Sequence, residues 1–254
     1  FLGTSTGETE QERFYTNLLI KHNDFELLID CGDGISKQLL SYGLSVTDNI
    51  NSILITHNHA DHLGGLPALL TQMKICKRTK PLNLYIYHKS HQIIINLLNT
   101  FLLFPENFPF PFYIKPIIEN ENLEITPDLN IVAKINSHVT KKKYTTYFGE
   151  EVNPVSLSLL FNSKNGKIIY TGDIGIKEDL YHFEFDGVKY LITEATHIEL
   201  IEIINLIKLN PNIKLVISHY SINKIKEIFD NIMINTFINQ NRLIIAKDSY
   251  NLHN

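Results

Sequence analysis

Three histidines and one aspartate lie within residues 57–62, directly after the apolar run at 52–56. They are His57, His59, Asp61 and His62, whose imidazole nitrogens and carboxylate oxygens suit zinc or a similar first-row metal. We expect His57 and His59 to face one side of this strand end, with Asp61 and His62 facing a neighbouring position. One short loop would then serve two metal ions, an arrangement typical of hydrolases.

Three further candidate ligands follow apolar runs elsewhere in the chain. His138 follows the run at 130–135, Asp173 follows 167–170, and His219 follows 214–218. Strand ends at one edge of a sandwich can converge on one site, and two metals need about seven or eight protein ligand atoms plus solvent. The sequence therefore predicts a dinuclear site in which Asp173 is the bridge. Its residues are His57, His59, Asp61, His62, His138, Asp173 and His219.

The patterns around these residues predict the elements that must position them. Runs rich in Ile, Leu, Val and Tyr predict strands, and apolar residues at three- and four-residue steps predict helices. We expect one α/β domain over residues 1–254, with two sheets packed face to face and helices outside. The predicted strands are 16–20, 25–29, 52–56, 82–87, 130–135, 155–161, 167–170, 189–193, 214–218 and 242–246. The predicted helices are 36–42, 66–74, 91–101, 198–209 and 222–231.

One stretch, residues 104–112, alternates phenylalanine with proline. Its prolines exclude a helix interior and a central strand, so we predict a rigid aromatic loop. Two roles stay open for this loop. It is either a lid or pocket wall, or a segment that packs against the core or against a second copy of the chain.

The overall composition restricts the class of protein. The chain carries 23 basic and 27 acidic residues, a net charge of −4 that gives no support for nonspecific binding to nucleic acid. The two cysteines, Cys31 and Cys76, do not make a disulfide framework, so we expect a cytoplasmic location. No apolar stretch has the length of a membrane span. We expect no membrane partner, and a homodimer stays open.

Several motifs along the chain resemble one known family. The segment 57–62 has the His-x-His-x-Asp-His signature of the metallo-β-lactamase superfamily, and five further segments resemble its ribonuclease Z-like branch: 1–7, 28–34, 170–173, 194–196 and 216–221. The resemblance implies a four-layer αββα sandwich. It also divides the candidate ligands between two metal ions, with Asp173 between them: His57, His59 and His138 on one, and Asp61, His62 and His219 on the other.

The same resemblance implies catalytic roles beside the metals. Asp61 would orient the nucleophile as well as bind metal, and His197 stands where ribonuclease Z carries another functional histidine. Glu194 and His197 are either a catalytic pair or part of a local helix cap. Alternatively, Thr193 or Thr196 would cap the helix predicted from Ile198.

Two other sets of residues lie near the predicted ligands. We expect Asp30, after the strand at 25–29, to brace the metal loop through hydrogen bonds. Lys141, Lys142, Lys143 and Tyr144 follow His138 closely, and lysines beside a dinuclear site can hold a phosphate or a carboxylate. We take these four as candidate substrate-binding residues; the alternative is an ordinary solvated loop.

The predicted site indicates a reaction class. Two divalent metal ions that share a water lower its pKa and stabilise charge on a phosphoryl or carbonyl oxygen. Zinc is the expected metal, and the ligands also accept manganese or iron. We therefore predict a metal-dependent hydrolase acting on ester bonds, a phosphodiesterase that directs a dinuclear-metal hydroxide at a nucleotide-type or other small phosphodiester. A protonated His197, paired with Glu194, would donate a proton to the leaving oxygen.

Three alternatives stay open. The first is tRNA 3′ processing, as in ribonuclease Z, with RNA as the substrate. Only 34 residues separate His138 from Asp173, which leaves little room for the protruding arm with which that family grips tRNA. The second is hydrolysis of a lactone, thioester or β-lactam. The third, a metal-binding or partner-binding relic of the fold without activity, is disfavoured by the full ligand set.

Overall fold

The computed structural model describes residues 1–139 and 155–252 of the chain. The strands of these two segments are β1 (Leu18–His22), β2 (Phe25–Ile29), β3 (Ser52–Leu54), β4 (Leu82–Tyr87), β5 (Phe112–Ile117), β6 (Asn122–Thr126), β7 (Leu129–Asn136), β8 (Ser156–Ser163), β9 (Gly166–Tyr170), β10 (Val188–Thr193), β11 (Lys214–Ile217) and β12 (Leu243–Ile245). The α-helices are α1 (Ile35–Ser41), α2 (Ala60–Leu63), α3 (Leu66–Ile75), α4 (His91–Thr100), α5 (Leu200–Leu209), α6 (Ile222–Asp230) and α7 (Ile232–Asn239).

The first sheet has the order β1-β2-β3-β4-β5. Strand β1 pairs antiparallel with β2, and the remaining neighbours are parallel. Because side chains alternate along a strand, Leu28 of β2 packs with Ile35 of α1 and Leu66 of α3, whereas Leu27 and Ile29 face the second sheet. Helices α1, α3 and α4 therefore cover the outer face of this sheet.

The second sheet has the order β12-β11-β10-β9-β8-β7-β6. Strands β9 to β12 are parallel, and β6 to β9 are antiparallel. Leu191 and Leu215 belong to the core formed with α5, α6 and α7, while Ile192 and Val216 lie between the two sheets. The layers are thus helix, sheet, sheet, helix, which confirms the predicted four-layer αββα sandwich.

The aromatic loop at 104–112 packs against the first sheet. Phe110 is buried in the core of that sheet, and its ring stacks on Phe108 with 5.0 Å between centroids. Phe112 begins β5, an edge strand that was not predicted from the sequence. Proline has no backbone N–H to donate, and Pro116 is tolerated in β5 because one side of an edge strand makes no ladder hydrogen bonds. The packing interpretation of this loop therefore fits the structure better than a lid.

Arg78 holds two segments beside the first sheet together from within the core. Its side chain is fully buried, and its guanidinium donates to the backbone carbonyls of Val46, Thr47, Ile50, Lys80 and Pro81. These bonds satisfy a charged group that burial would otherwise make costly. They join the segment before β3 to the segment before β4.

Helix α6 matches the helix predicted over 222–231, and Asn231 stands between it and a further helix. Its side chain accepts hydrogen bonds from the backbone N–H groups of Met233 and Ile234, so it caps a new helix, α7. This second helix was missed. Among the described residues, none of the helices has both the length and the apolar character needed to cross a membrane.

Candidate metal centre

The loop after β3 carries two of its histidines, His57 and His59, ahead of a short helix. His59 has an extended backbone and caps that helix. His57 Nε2 and His59 Nδ1 lie 2.9 Å apart. Asp61 and His62 stand in the first turn of α2, which begins at Ala60. The change from extended chain to helix turns the second pair toward a neighbouring position.

His138 completes a group with the first pair. It follows β7, and its Nε2 lies 3.2 Å from Nδ1 of His59. The ligand atoms of His57, His59 and His138 all lie within 4.8 Å of one another. The structure therefore brings together the three imidazoles that were assigned to one metal ion.

A second group forms beside the first. It contains Asp61, His62, Asp173 and His219, whose ligand atoms also lie within 4.8 Å of one another. Asp173 follows β9 and His219 follows β11, so the parallel strands of the second sheet deliver both residues to the same edge. This geometry matches the grouping expected for the other ion.

Asp173 lies where the two groups meet. Its Oδ2 is 3.4 Å from Nε2 of His62, 3.3 Å from Nε2 of His219 and 3.7 Å from Nε2 of His138. One buried carboxylate oxygen thus faces imidazoles of both groups. Asp173 is therefore the residue that lies within 4 Å of both groups.

Asp30 fixes the orientation of His62. The Asp30 carboxylate accepts a hydrogen bond from the backbone N–H of Thr56 at 2.7 Å and lies 2.7 Å from Nδ1 of His62. Asp30 itself has a φ of 64°, a left-handed conformation that aspartate adopts more readily than most residues. With Nδ1 engaged, Nε2 of His62 faces Asp173 and Asp61.

Gly32 lets the exit of β2 approach the metal-binding loop. A β-carbon at this position would overlap the backbone carbonyl oxygen of Asp61 and would touch Tyr15. The neighbouring Cys31 donates its N–H to the carbonyl of His62 at 2.6 Å. The two segments are therefore in direct backbone contact.

His219 occupies a left-handed backbone position, with φ of 51°. Thr196 Oγ1 donates to its carbonyl at 2.9 Å, and the N–H of the next residue, Tyr220, donates to the carbonyl of Thr4 at 3.2 Å. Arg13 stacks on the Tyr220 ring at 4.3 Å and donates to its carbonyl. Arg13 and Thr4 were not predicted as site residues, because both act through contacts with a residue more than 200 positions away.

Glu194 and His197 form a close pair at the edge of both groups. His197 Nδ1 lies 2.7 Å from Glu194 Oε1, and the His197 ring lies 4.8 Å from the ring of His138. Glu194 also accepts the N–H groups of Thr196 and Ile174. The local-cap and catalytic-pair interpretations are therefore geometrically compatible. Helix α5 begins after Glu199, which corrects the expectation that Thr193 or Thr196 caps it.

Burial and neighbouring charges set the protonation of the cluster. Burial lowers the pKa of His57 well below its usual value and lowers the pKa of His138 to about 4. Burial opposes ionisation of Asp61 and Asp173, but the surrounding histidines hold the pKa of each carboxyl below its usual range. His62 is the exception: burial acts to lower its pKa, yet Asp173 and Asp30 raise it well above the usual value.

The residues present fit divalent metal ions. Among the described residues, His62 Nε2 and Asp173 Oδ1 are buried without a hydrogen-bond partner, and both atoms belong to the second group. Leaving such atoms unpaired is costly unless something else engages them. Imidazole nitrogens and carboxylate oxygens are donors for zinc, manganese or iron, and neutral imidazoles such as His57 and His138 are ready to ligate.

The candidate substrate-binding residues are not placed by the structure. Lys141, Lys142, Lys143 and Tyr144 lie outside the described residues. Their role stays a prediction.

Two solved structures superpose on nearly the whole chain. The human tRNase Z short form superposes with a TM-score of 0.67 and 19% identity, over 98% of this chain and 96% of that chain. A diphosphatase of the PhnP family superposes with a TM-score of 0.68 and 15% identity, over 100% and 96% of the two chains. These likenesses establish the fold.

Sequence comparison leads to the same superfamily. A ribonuclease Z of Bradyrhizobium sp. strain ORS 278 is 28% identical over 161 residues, which cover 63% of this chain and 51% of the relative. The chain thus spans about half the length of this relative. The family described as Anti-Pycsar protein Apyc1 matches residues 1–244. A match over nearly the whole chain, on a metallo-β-lactamase fold with ribonuclease Z-like motifs, shows that the protein belongs to the Apyc1 family.

Proposed function

We propose that the protein is a metal-dependent phosphodiesterase that hydrolyses a nucleotide-type or other small phosphodiester. The observation that carries the proposal is the position of Asp173 between two groups of metal-ligand side chains, with the Glu194–His197 pair beside both. Bound divalent metal ions would supply an activated water and stabilise charge on the phosphoryl oxygens. Relatives named ribonuclease Z and diphosphatase favour phosphate over carbonyl chemistry.

The chain's own residues have separate tasks in this proposal. His57, His59 and His138 would hold one ion, because their ligand atoms converge and because neutral imidazoles bind zinc without first losing a proton. Asp173 would bridge to the second group. Asp61 would also accept a hydrogen bond that orients the attacking water, because its carboxylate is held ionised by its histidine neighbours.

His197 would act on the leaving group. Its Nδ1 is engaged by Glu194, which leaves Nε2 directed away from that carboxylate. In its protonated form this ring can donate a proton to the departing oxygen of the diester. The 36% exposure of the His197 side chain allows contact with a substrate that enters from solvent.

The short interval between His138 and Asp173 favours a small substrate. Of the 34 residues between His138 and Asp173, most of the described ones form β8 and β9. The net charge of −4 also gives no general attraction for a polyanion. Lys141, Lys142 and Lys143 would contact the phosphate locally, so neutralising them should raise KM for a charged diester and spare a neutral ester.

Turnover of simple model substrates tests the proposal. We expect hydrolysis of bis-p-nitrophenyl phosphate in the presence of zinc or manganese, and much weaker hydrolysis of a thioester and a lactone. His57→Ala should abolish the diester activity. Absence of diester hydrolysis with every metal would contradict the proposal, and preferential hydrolysis of the thioester or lactone would indicate the carbonyl class instead.

The second candidate function is tRNA 3′ processing. It is favoured by the sequence similarity to a protein named ribonuclease Z. Incubation with a precursor tRNA bearing a 3′ trailer distinguishes the two functions. Cleavage at the trailer that is faster than hydrolysis of cyclic or short nucleotides would make RNA the substrate.

A further inference from the structure

A buried carboxylate outside the metal groups joins two of the ligand-bearing segments. Asp179 lies in a short 3₁₀ helix after Asp173 and is buried. Its Oδ2 accepts hydrogen bonds from Oγ of Ser137 at 2.6 Å and from N–H of Gly175 at 3.0 Å. Ser137 immediately precedes His138, and Gly175 stands two residues after Asp173. One side chain therefore holds the backbone beside two candidate ligands.

The remaining contacts of Asp179 show more than a local helix cap. The carboxylate accepts the N–H of Ile176 at 3.3 Å, which a cap alone explains. It also accepts the backbone N–H of Ser137 at 3.2 Å, across 42 residues of sequence. His182 Nε2 approaches the other oxygen at 3.2 Å. These donors fix the carboxylate in one orientation.

The two segments are also packed without space between them. A β-carbon at Gly175 would come within 2.6 Å of Ser137 Oγ, so the close approach requires glycine. Asn136 adds a parallel link, because its Oδ1 accepts the N–H of His138 at 3.1 Å and its Nδ2 donates to the carbonyl of Thr171 at 3.2 Å. The hydrogen bonds of Asp179 and Asn136 thus link the end of β7 to the end of β9 on both sides of the ligands.

We propose that Asp179 is a positioning residue for the His138 side of the metal centre. The inference rests on the proposed metal centre. Asp179 sets the distance between His138 and Asp173, whose nearest ligand atoms are 3.7 Å apart. Losing a side chain that orients metal ligands costs about 10- to 100-fold in metal affinity in other proteins. Metal binding by the second group, which does not contain His138, should depend much less on Asp179.

Zinc affinity in two single-group backgrounds tests this role. In His219→Ala, which retains the His57, His59 and His138 group, Asp179→Asn should weaken zinc binding about 10-fold or more, measured by competition with a chromophoric chelator. In His138→Ala, the same change should weaken binding less than about threefold, because the Asp173 segment is also held by Ser156, whose Oγ donates to the Asp173 carbonyl, and by Glu194, which accepts the N–H of Ile174. Ser137→Ala should act in the same direction with a smaller effect.

Asp128→Asn is the matched control. Asp128 also pairs with a histidine, His22, at 2.9 Å, but it lies at the opposite end of β7 from His138. It should leave zinc affinity unchanged in both backgrounds. Equal losses from Asp179→Asn in the two backgrounds would indicate general destabilisation and overturn the role, as would no loss in either. If the unsubstituted protein bound neither zinc nor manganese, the metal centre itself would be wrong.

Discussion

The carboxylate of Asp30 lies 2.7 Å from Nδ1 of His62, and both side chains are fully buried. The contact determines which ring nitrogen carries the proton when the ring is neutral. A carboxylate only accepts, so Nδ1 must be the donor, and Nε2 is the nitrogen that a metal ion would bind, in place of the proton that the raised pKa of His62 favours in the metal-free protein. The orientation of a ligand is thus controlled by a residue 32 positions earlier in the chain.

Replacing Asp30 by Asn should weaken metal binding. The amide would retain one acceptor for Thr56 and present its NH₂ to His62, which favours the tautomer protonated at Nε2. We expect a loss of about 10- to 100-fold in zinc affinity, measured by chelator competition. Asp48→Asn, on the exposed surface, is the control. An unchanged affinity in Asp30→Asn would show that the carboxylate does not select the tautomer.

Replacing His197 by Gln should make catalysis depend on the leaving group. A diester with an alkyl leaving group needs a proton donor, whereas p-nitrophenolate departs without one. We expect kcat to fall about 10²- to 10⁴-fold for the alkyl diester and little for the p-nitrophenyl diester. His88→Gln is a control, since His88 pairs with Glu119 away from the candidate ligands. Equal losses on both substrates would remove the proton-donor assignment.

The stability of the metal-free protein should fall as the solution is acidified. The pKa of His138 is lowered from 6.5 to about 4, and that of His57 is lowered as well. Between about pH 6 and pH 4.5 the unfolded chain therefore binds protons at these imidazoles that the folded chain does not. Each histidine removes up to about 1.4 kcal/mol of unfolding free energy per pH unit.

Urea unfolding of the metal-free protein at pH 6.0 and 5.0 measures this slope. His62 adds no opposing slope in that window, because its raised pKa keeps it protonated in the folded state and its unfolded counterpart is also largely protonated. His138→Asn should reduce the slope. A stability that stayed constant or rose on acidification would contradict the proposed protonation of the cluster.

Replacing Arg78 by Lys should destabilise the fold without touching the metal centre. Lysine has three donors on one nitrogen and cannot reach the five carbonyls that the guanidinium serves. With several buried carbonyls left unpaired, we expect a loss of about 3 kcal/mol in unfolding free energy. Lys177→Ala, which removes an exposed ion pair with Glu202, should cost less than about 1 kcal/mol. A loss below that of the control would contradict the anchoring role of Arg78.

The metal groups could be predicted from the sequence because their signals are local. His57 to His62 stand in one short segment, and His138, Asp173 and His219 each follow a run of apolar residues that forms a strand. The layer order could be predicted for the same reason. Both depend on side-chain periodicity and on the rule that strand ends converge.

The missed features depend on contacts between distant residues or on weak patterns. Strands β5 and β6 lie toward sheet edges with many half-exposed residues, so they lack a long apolar run. Helix α7 begins directly after the cap at Asn231 and has only two buried residues, Ile234 and Phe237, so its apolar pattern is weak. Arg13 and Asp179 act on Tyr220 and Ser137, and no spacing rule relates partners separated by 207 and 42 residues.

The contact of Gly32 with the Asp61 carbonyl constrains how this metal loop can vary. Any side chain at residue 32 must displace the first turn of α2, and that turn carries Asp61 and His62 together. A variant library that randomises residues 57–62 alone would therefore yield only loops that fit against the unchanged segment 30–32. New metal preferences in this scaffold would have to be sought by varying residues 30–32 and 57–62 as one unit.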